Sequence, residues 1–201
     1  SRGEVQACRE AVETGMFETG LIVDANNVMY MLAFAASKDV SDAAGMLMVF
    51  MERVRDTAKD IGADLVVCCM DYGVSLRRSM LGATKKPDKN PEQEAVIDLA
   101  RVALRALSYC RIVCYRKKKW HNPCRLDGYE ADDLAAAFAV SQLCVHTVLY
   151  STDSDLYQVT NGSGVVQMSP ATGKFLLSEV PPALVPGVKA LAGASSDNVQ
   201  G

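Results

Sequence analysis

"GLIVD" (Gly20–Asp24) sets Leu, Ile and Val in a row and ends them on a carboxylate. A run this short, apolar and rich in β-branched side chains reads as a strand buried on both faces. The pattern returns along the chain. "DLVVCCMD" (Asp64–Asp71) is a second strand candidate, and "CRIVCY" (Cys110–Tyr115), "HTVLYS" (His146–Ser151) and "GVVQMS" (Gly164–Ser169) follow. Helical patterns lie between them. Leu47, Phe50, Met51, Val54, Ala58 and Ile61 recur at helical spacing, with Ser41 as the expected N-cap and Gly62 just past the end. Asn90 and Pro91 open another helix, with Glu92 and Glu94 in its first turn and an apolar stripe from Val96 to Leu107. A third starts near Glu130 and runs to about Leu143, whereas the Pro-rich "VPPALVPG" (Val180–Gly187) reads as a connector. Strands alternating with helices predict an α/β fold: a parallel-rich central β-sheet flanked by helices on both faces, as one domain over residues 1–201.

Hydrophobic residues make up 49% of the chain and charged residues 22%, enough apolar material for a sizeable core. No apolar run approaches the roughly 20 residues that cross a bilayer, and the polar, mixed-charge start "SRGEVQACREAVETG" is not a secretory signal. A start at Ser1 rather than Met reads as a processed product or a piece of something longer. Seven cysteines, with Cys68 and Cys69 inside an apolar run, read as reduced thiols of an intracellular protein.

The net charge of −3 argues against a nucleic-acid partner until its distribution is considered. Residues 77–125 hold 13 of the 21 Lys and Arg and only four acids, a local charge of +9, which leaves −12 on the remainder. A basic middle beside an acidic remainder suits a protein that grips a polyanion with one part and holds cations with another.

The acids fall in a pattern. In an open parallel sheet, ligands bind beyond the carboxyl ends of the strands. Asp24 and Asp71 end the first two strands, Asp153 and Asp155 follow the fourth in "STDSDLYQ", and Asp197 lies in "GASSDNVQG". Glu130, Asp132 and Asp133 open the third helix in "YEADDLAAAF" (Tyr129–Phe138). The helix dipole favours acids there by about 0.3–1 kcal/mol each, so "EADD" taken alone is equally a well-capped helix. Taken together, eight carboxylates at one edge repel unless cations sit among them. Oxygen-only ligands suit hard cations, Mg²⁺ or Mn²⁺, and two such ions form the clamp used for phosphodiester hydrolysis.

At these residues the sequence resembles the 5′-nuclease (flap endonuclease-like) superfamily, above all its bacteriophage and bacterial 5′→3′ exonucleases. The matching pieces are "IVDANNVMY" (22–30), "CMDYGVSLRRSM" (69–80), "GYEADDLAA" (128–136), "STDSDLYQ" (151–158) and "GASSDNVQG" (193–201), in the family's order. The resemblance implies a PIN-like, resolvase-like core and a two-metal nuclease acting on branched or 5′-ended DNA, RNA primers included, as a monomer that can serve a replicative polymerase. It implies Asp71, Glu130 and Asp132 as ligands of a first ion, and Asp133, Asp153, Asp155 and Asp197 around a second. Asp24 resembles a residue that holds metal-bound water. Arg78 and Lys86, or Lys85 in its place, would touch the scissile phosphate, with Arg77 also on nucleic acid. The stretch from about Lys85 to Leu99 matches the family's arch over single-stranded DNA.

Two departures stand out. Ala194 holds a position where the family usually has Asp, which implies a weaker second ion site. The chain also stops at Gly201, where the family continues into a duplex-gripping helix–hairpin–helix; the expectation is truncation.

The basic, aromatic run "YRKKKWHNPCR" (Tyr115–Arg125) offers Lys117, Lys118 and Lys119 to phosphates and Trp120 to a base; a solvated hairpin tip explains it equally. Cys110, Cys114, His121 and Cys124 would make a zinc set only at a non-standard spacing, and Cys110 and Cys114 fit a strand instead. Tyr30 and His146 read as structural. Two other functions fit the same acids: a PIN-type ribonuclease, and a branched-DNA-binding module whose cutting power is weakened at Ala194.

Overall fold

The computed structural model describes residues 17–35, 42–81, 91–110, 112–114, 119–121, 123–162 and 164–192. In chain order these form β1 (Phe17–Asp24), α1 (Ala25–Ala35), α2 (Ala43–Asp60), β2 (Leu65–Cys69), α3 (Leu76–Leu81) and α4 (Pro91–Leu107). Next come β3 (Ile112–Cys114), β4 (Lys119–His121), α5 (Ala131–Val140), β5 (Cys144–Tyr150) and a 3₁₀ turn (Ser154–Val159). β6 (Val165–Met168), β7 (Phe175–Leu176), a second 3₁₀ turn (Pro182–Leu184) and α6 (Val185–Ala192) complete the described chain.

The main sheet has the order β2-β1-β5-β6-β7. β1 pairs in parallel with β2 from Gly20↔Leu65 to Asp24↔Cys69, and with β5 up to Val23↔Tyr150. β5 pairs in parallel with β6, and only the edge strand β7 is antiparallel. The chain leaves β1 toward β2 on one side and returns to β5 on the other, so the strand order switches direction between β1 and β5. A crevice opens at such a switch point, at the carboxyl ends of the strands.

Side chains alternate across each strand, because the strand period is two. Leu21, Val23, Val66, Cys68, Val148 and Tyr150 join one core with α1, α2 and α4. Ile22, Val67, Cys69 and Leu149 face the other way and join a second core with Phe17, α5 and Leu156 of the 3₁₀ turn. The continuous apolar strands of the sequence are therefore buried on both faces, as a helix-covered parallel sheet requires.

Several boundaries differ from the sequence expectation. The N-cap of α2 is Asp42, whose Oδ1 accepts the Gly45 N–H at 2.7 Å; the expected cap, Ser41, lies outside the described residues. Gly62 does follow α2 in the left-handed region at φ 64°, where a side chain is strained. α5 stops at Val140 rather than Leu143, and the Ser141 hydroxyl donates to the Phe138 carbonyl.

"CRIVCY" does not enter the main sheet. Ile112–Cys114 pairs with Lys119–His121 in a separate antiparallel ribbon, a partner reached at low loop-closure cost. Beside β2 the backbone partner is instead Cys124, whose N–H donates to the Cys68 carbonyl at 2.8 Å while its carbonyl accepts the Met70 N–H at 3.0 Å. "VPPALVPG" is not a plain connector either. It forms the second 3₁₀ turn and the start of α6, since proline is tolerated in a first turn, where its missing N–H has no intrahelical partner. Among the described residues no helix is long and apolar enough to cross a membrane.

Candidate metal centre

The site is built at the carboxyl edge, starting from Asp24. This last residue of β1 is buried, 4% exposed, beside the switch point. Its Oδ1 accepts the Asn27 N–H at 3.0 Å, in the manner of a helix N-cap for α1. Its Oδ2 accepts the Ser151 hydroxyl at 3.1 Å across the β1–β5 crevice. Burial pushes the Asp24 carboxyl up to about 7; these two bonds oppose the rise, and the charges of Asp132 and Asp71 add to it.

Ser151 carries the link onward. Its Oγ accepts the Asp153 N–H at 3.0 Å, and Asp153 Oδ1 accepts the Asp155 N–H at 2.9 Å. The loop is clamped from behind by Gln167 of β6, a fully buried side chain. Its Nε2 donates to the Ser151 carbonyl at 2.9 Å and to the Asp153 carbonyl at 2.8 Å, while its Oε1 has no hydrogen-bond partner among the described residues.

The second wall comes from α5. Residues 124–129 run beside the continuation of β2, with Gly128 N–H donating to the Tyr72 carbonyl and Leu76 N–H to the Gly128 carbonyl. Gly128 sits at φ 83°, and a Cβ there would lie 2.6 Å from Leu76 Cγ. Only glycine fits that approach. The contact brings α3 against the start of α5, where Arg77 Nη2 donates to Glu130 Oε2 at 2.6 Å and stands 4.0 Å from Asp132 Oδ2.

The first amides of α5 go to carboxylates. Ala131 N–H donates to Asp71 Oδ1 at 2.7 Å, Glu130 N–H to Asp133 Oδ2 at 3.2 Å, and Asp133 N–H to Asp132 Oδ1 at 2.9 Å. Part of the acid crowding is thus helix capping. Capping leaves Asp132 unsatisfied electrostatically. Partial burial and then the charge of Asp133 push its carboxyl up to about 6, with Glu130 adding to the rise.

Among the described residues, two trios of carboxylates can each close on one ion: Glu130, Asp132 and Asp133, and Asp132, Asp153 and Asp155. In each, one oxygen per residue lies within 4.8 Å of the others. Asp132 belongs to both. The donor set is all carboxylate oxygen, which fits a hard divalent cation and not a thiolate-preferring one. Asp24 and Asp71 border the trios without joining either. A second cation stands beside the second trio: Lys189 of α6 donates its Nζ to Asp155 Oδ1.

No family model and no curated protein sequence matches this chain. Solved structures do. A bacteriophage T5 protein co-crystallised with metal ions superposes with a TM-score of 0.71 at 20% identity, over 92% of this chain and 70% of that one. T5 5′-exonuclease with bound zinc gives 0.68 at 20% identity, with the same coverage. T5 flap endonuclease in a pseudo-enzyme–product complex with DNA and metal ions gives 0.66 at 18% identity, again over 92% and 70%. The fold is that of the T5 5′-nucleases.

Within this 5′-nuclease fold the sequence-predicted acids separate into groups. Glu130, Asp132, Asp133, Asp153 and Asp155 come together in the trios, and Asp24 and Asp71 lie at their border. Arg77 points into the cluster, with its guanidinium held more firmly protonated by Glu130. Lys85, Lys86, Lys117, Lys118, Ala194 and Asp197 lie outside the described residues, as do the side chains of Arg78, Lys119 and Trp120. Of the zinc set, the side chains of Cys114 and His121 lie outside the described residues, and the two described members stand apart. Cys110 packs on the core of one sheet face and Cys124 on that of the other. Tyr30 packs against the first core, and His146 is exposed at the end of β5 remote from the acids. Sequence reasoning missed Ser151, Gln167 and Lys189. Only Ser151 carried a signal, its place between the strand and the "DSD" acids.

Proposed function

We propose that this chain is a divalent-metal-dependent 5′-nuclease that hydrolyses phosphodiester bonds in branched or 5′-ended DNA. One observation carries the reading: acids from α5 and from the loop after β5, separated by 20 residues or more in sequence, meet at the switch point of a 5′-nuclease fold. Helix capping accounts for the first trio in part. It gives no reason for Asp153 and Asp155 to face Asp132.

In this reading Glu130, Asp132 and Asp133 hold one ion and Asp132, Asp153 and Asp155 the other, Mg²⁺ or Mn²⁺, with Asp71 and Asp197 completing the shells. Such ions supply Lewis acidity toward the phosphodiester and its attacking water. The chain's own residues do the rest. Asp24 fixes the Asp153 loop through Ser151. Arg77 is half-exposed, so it can turn from Glu130 to a phosphate oxygen, and the basic segment 77–125 extends that grip along the backbone. T5 flap endonuclease, similar in fold, is seen with DNA and metal ions, a partner of the same chemistry.

The test sets a 5′-flap DNA against single-stranded RNA in Mg²⁺, with and without EDTA. Cleavage of the flap that EDTA stops is the expected result. Cleavage of RNA alone would move the assignment to a PIN-type ribonuclease. Flap binding without cleavage, indifferent to EDTA, would leave a branched-DNA-binding module.

A further inference from the structure

The two trios differ in the cation that stands against them. On the first it is Arg77, a half-exposed side chain from a short surface helix. On the second it is Lys189, about one-third exposed, as is its partner Asp155. Lys189 is anchored where Val185 of α6 is buried at 6% exposure. Lys189, Asp155, Asp132 and Arg77 line one cleft of about 230 Å³. An ammonium is a compact point charge with three donors and no acceptor, so at a carboxylate it fills the same electrostatic role as a metal ion. Its covalent tether keeps it at high local concentration beside Asp155.

We infer that Lys189 is a built-in competitor for the second ion: its ammonium holds Asp155 in the metal-free chain and must leave for Asp132, Asp153 and Asp155 to close on a divalent cation. The inference rests on the metal-nuclease reading above. It makes Lys189 a residue that sets metal affinity, not a catalytic one. Because linkage is reciprocal, the ion weakens the Lys189–Asp155 pair by the factor that the pair weakens the ion.

The test is calorimetric titration of the full chain with Mn²⁺, as wild type, Lys189→Met and Lys189→Arg. In wild type one ion binds tightly and a second weakly. Lys189→Met tightens the second ion by roughly tenfold, within the usual range of coupling between sites, and Lys189→Arg leaves it weak. Melting temperatures give an independent readout: Mn²⁺ raises that of Lys189→Met by more than it raises that of wild type, by mass action. Lys189→Gln keeps a donor for Asp155 without its charge and serves if the Met variant loosens α6. If Lys189→Met or Lys189→Gln melts lower in EDTA yet takes Mn²⁺ as wild type does, Lys189 is only a structural strap and the inference is overturned. If wild type and variants alike take no Mn²⁺, the metal-nuclease reading itself falls, and this inference with it.

Discussion

The two carboxylate trios share Asp132 but are made in different ways. Glu130, Asp132 and Asp133 lie within four residues at one helix start, where backbone amides and the helix dipole favour them whatever their purpose. Asp153 and Asp155 reach Asp132 only through a loop that Ser151 and Gln167 hold in place from β1 and β6. The first trio is local chemistry that many helices could show. The second exists only because three strands end side by side, so it is the better witness to function.

The shared residue gives the sharpest way to break this comparison. Asp132→Asn removes a ligand from both trios and is expected to lower flap-DNA cleavage by about a thousandfold, the scale of losing a principal electrostatic group at a reacting phosphate. Single-turnover rates beside Glu130→Gln and Asp153→Asn check it. A loss no larger than that of either single-trio variant would mean that Asp132 is not shared.

Stability against pH, without metal, probes Asp24 at the border of the trios. Its carboxyl titrates near 7 in the fold and near 3.8 when unfolded. Between those values the native state holds more protons than the unfolded chain, so stability falls as pH rises from about 4 to about 7 and levels off above that. The expected loss is on the order of a few kcal/mol. Urea titrations across this window should give a clearly shallower slope for Asp24→Asn. An unchanged slope would show that Asp24 is not the titrating group.

Gln167→Leu sharpens the comparison from the other side, because it touches only the second trio. It leaves the Ser151 and Asp153 carbonyls without their amide donor, a cost of about 1–3 kcal/mol. Thermal melts should register that loss. Mn²⁺ titrations should show the weak ion weakened further and the tight ion unchanged. Equal weakening of both ions would mean that Gln167 supports the sheet edge as a whole.

The smallest effect belongs to Arg77, whose exposed pair with Glu130 contributes about 0–1 kcal/mol to stability. Arg77→Ala should instead lower the salt dependence of flap-DNA binding by about one ion. Binding isotherms at several salt concentrations measure it, and an unchanged slope would keep Arg77 off the phosphates.

Much of this was legible in the chain itself. "GLIVD", "DLVVCCMD" and "HTVLYS" were readable as strands because a strand buried on both faces is mostly apolar, and the acids at or just after their ends marked the site edge. "CRIVCY" misled for the same reason: its apolarity is strand-like, yet composition does not say which edge a strand pairs with. "VPPALVPG" misled because proline signals a break and a helix start alike. Gln167 gave no signal, since one amide in a strand looks the same whether it faces water or clamps a loop.

By its own composition and period, then, the sequence determined the four parallel strands of the main sheet and three of the helices, that both faces of the sheet are covered, and where along the chain the acids lie. Tertiary structure alone decided that Asp132 stands in both trios, that Asp24 is buried enough to titrate near neutrality, and that Lys189 reaches Asp155. The physical reason is range. Hydrophobic periodicity and capping act over a few residues, whereas the field at a carboxylate depends on every charge within about 10 Å, wherever the chain brings it.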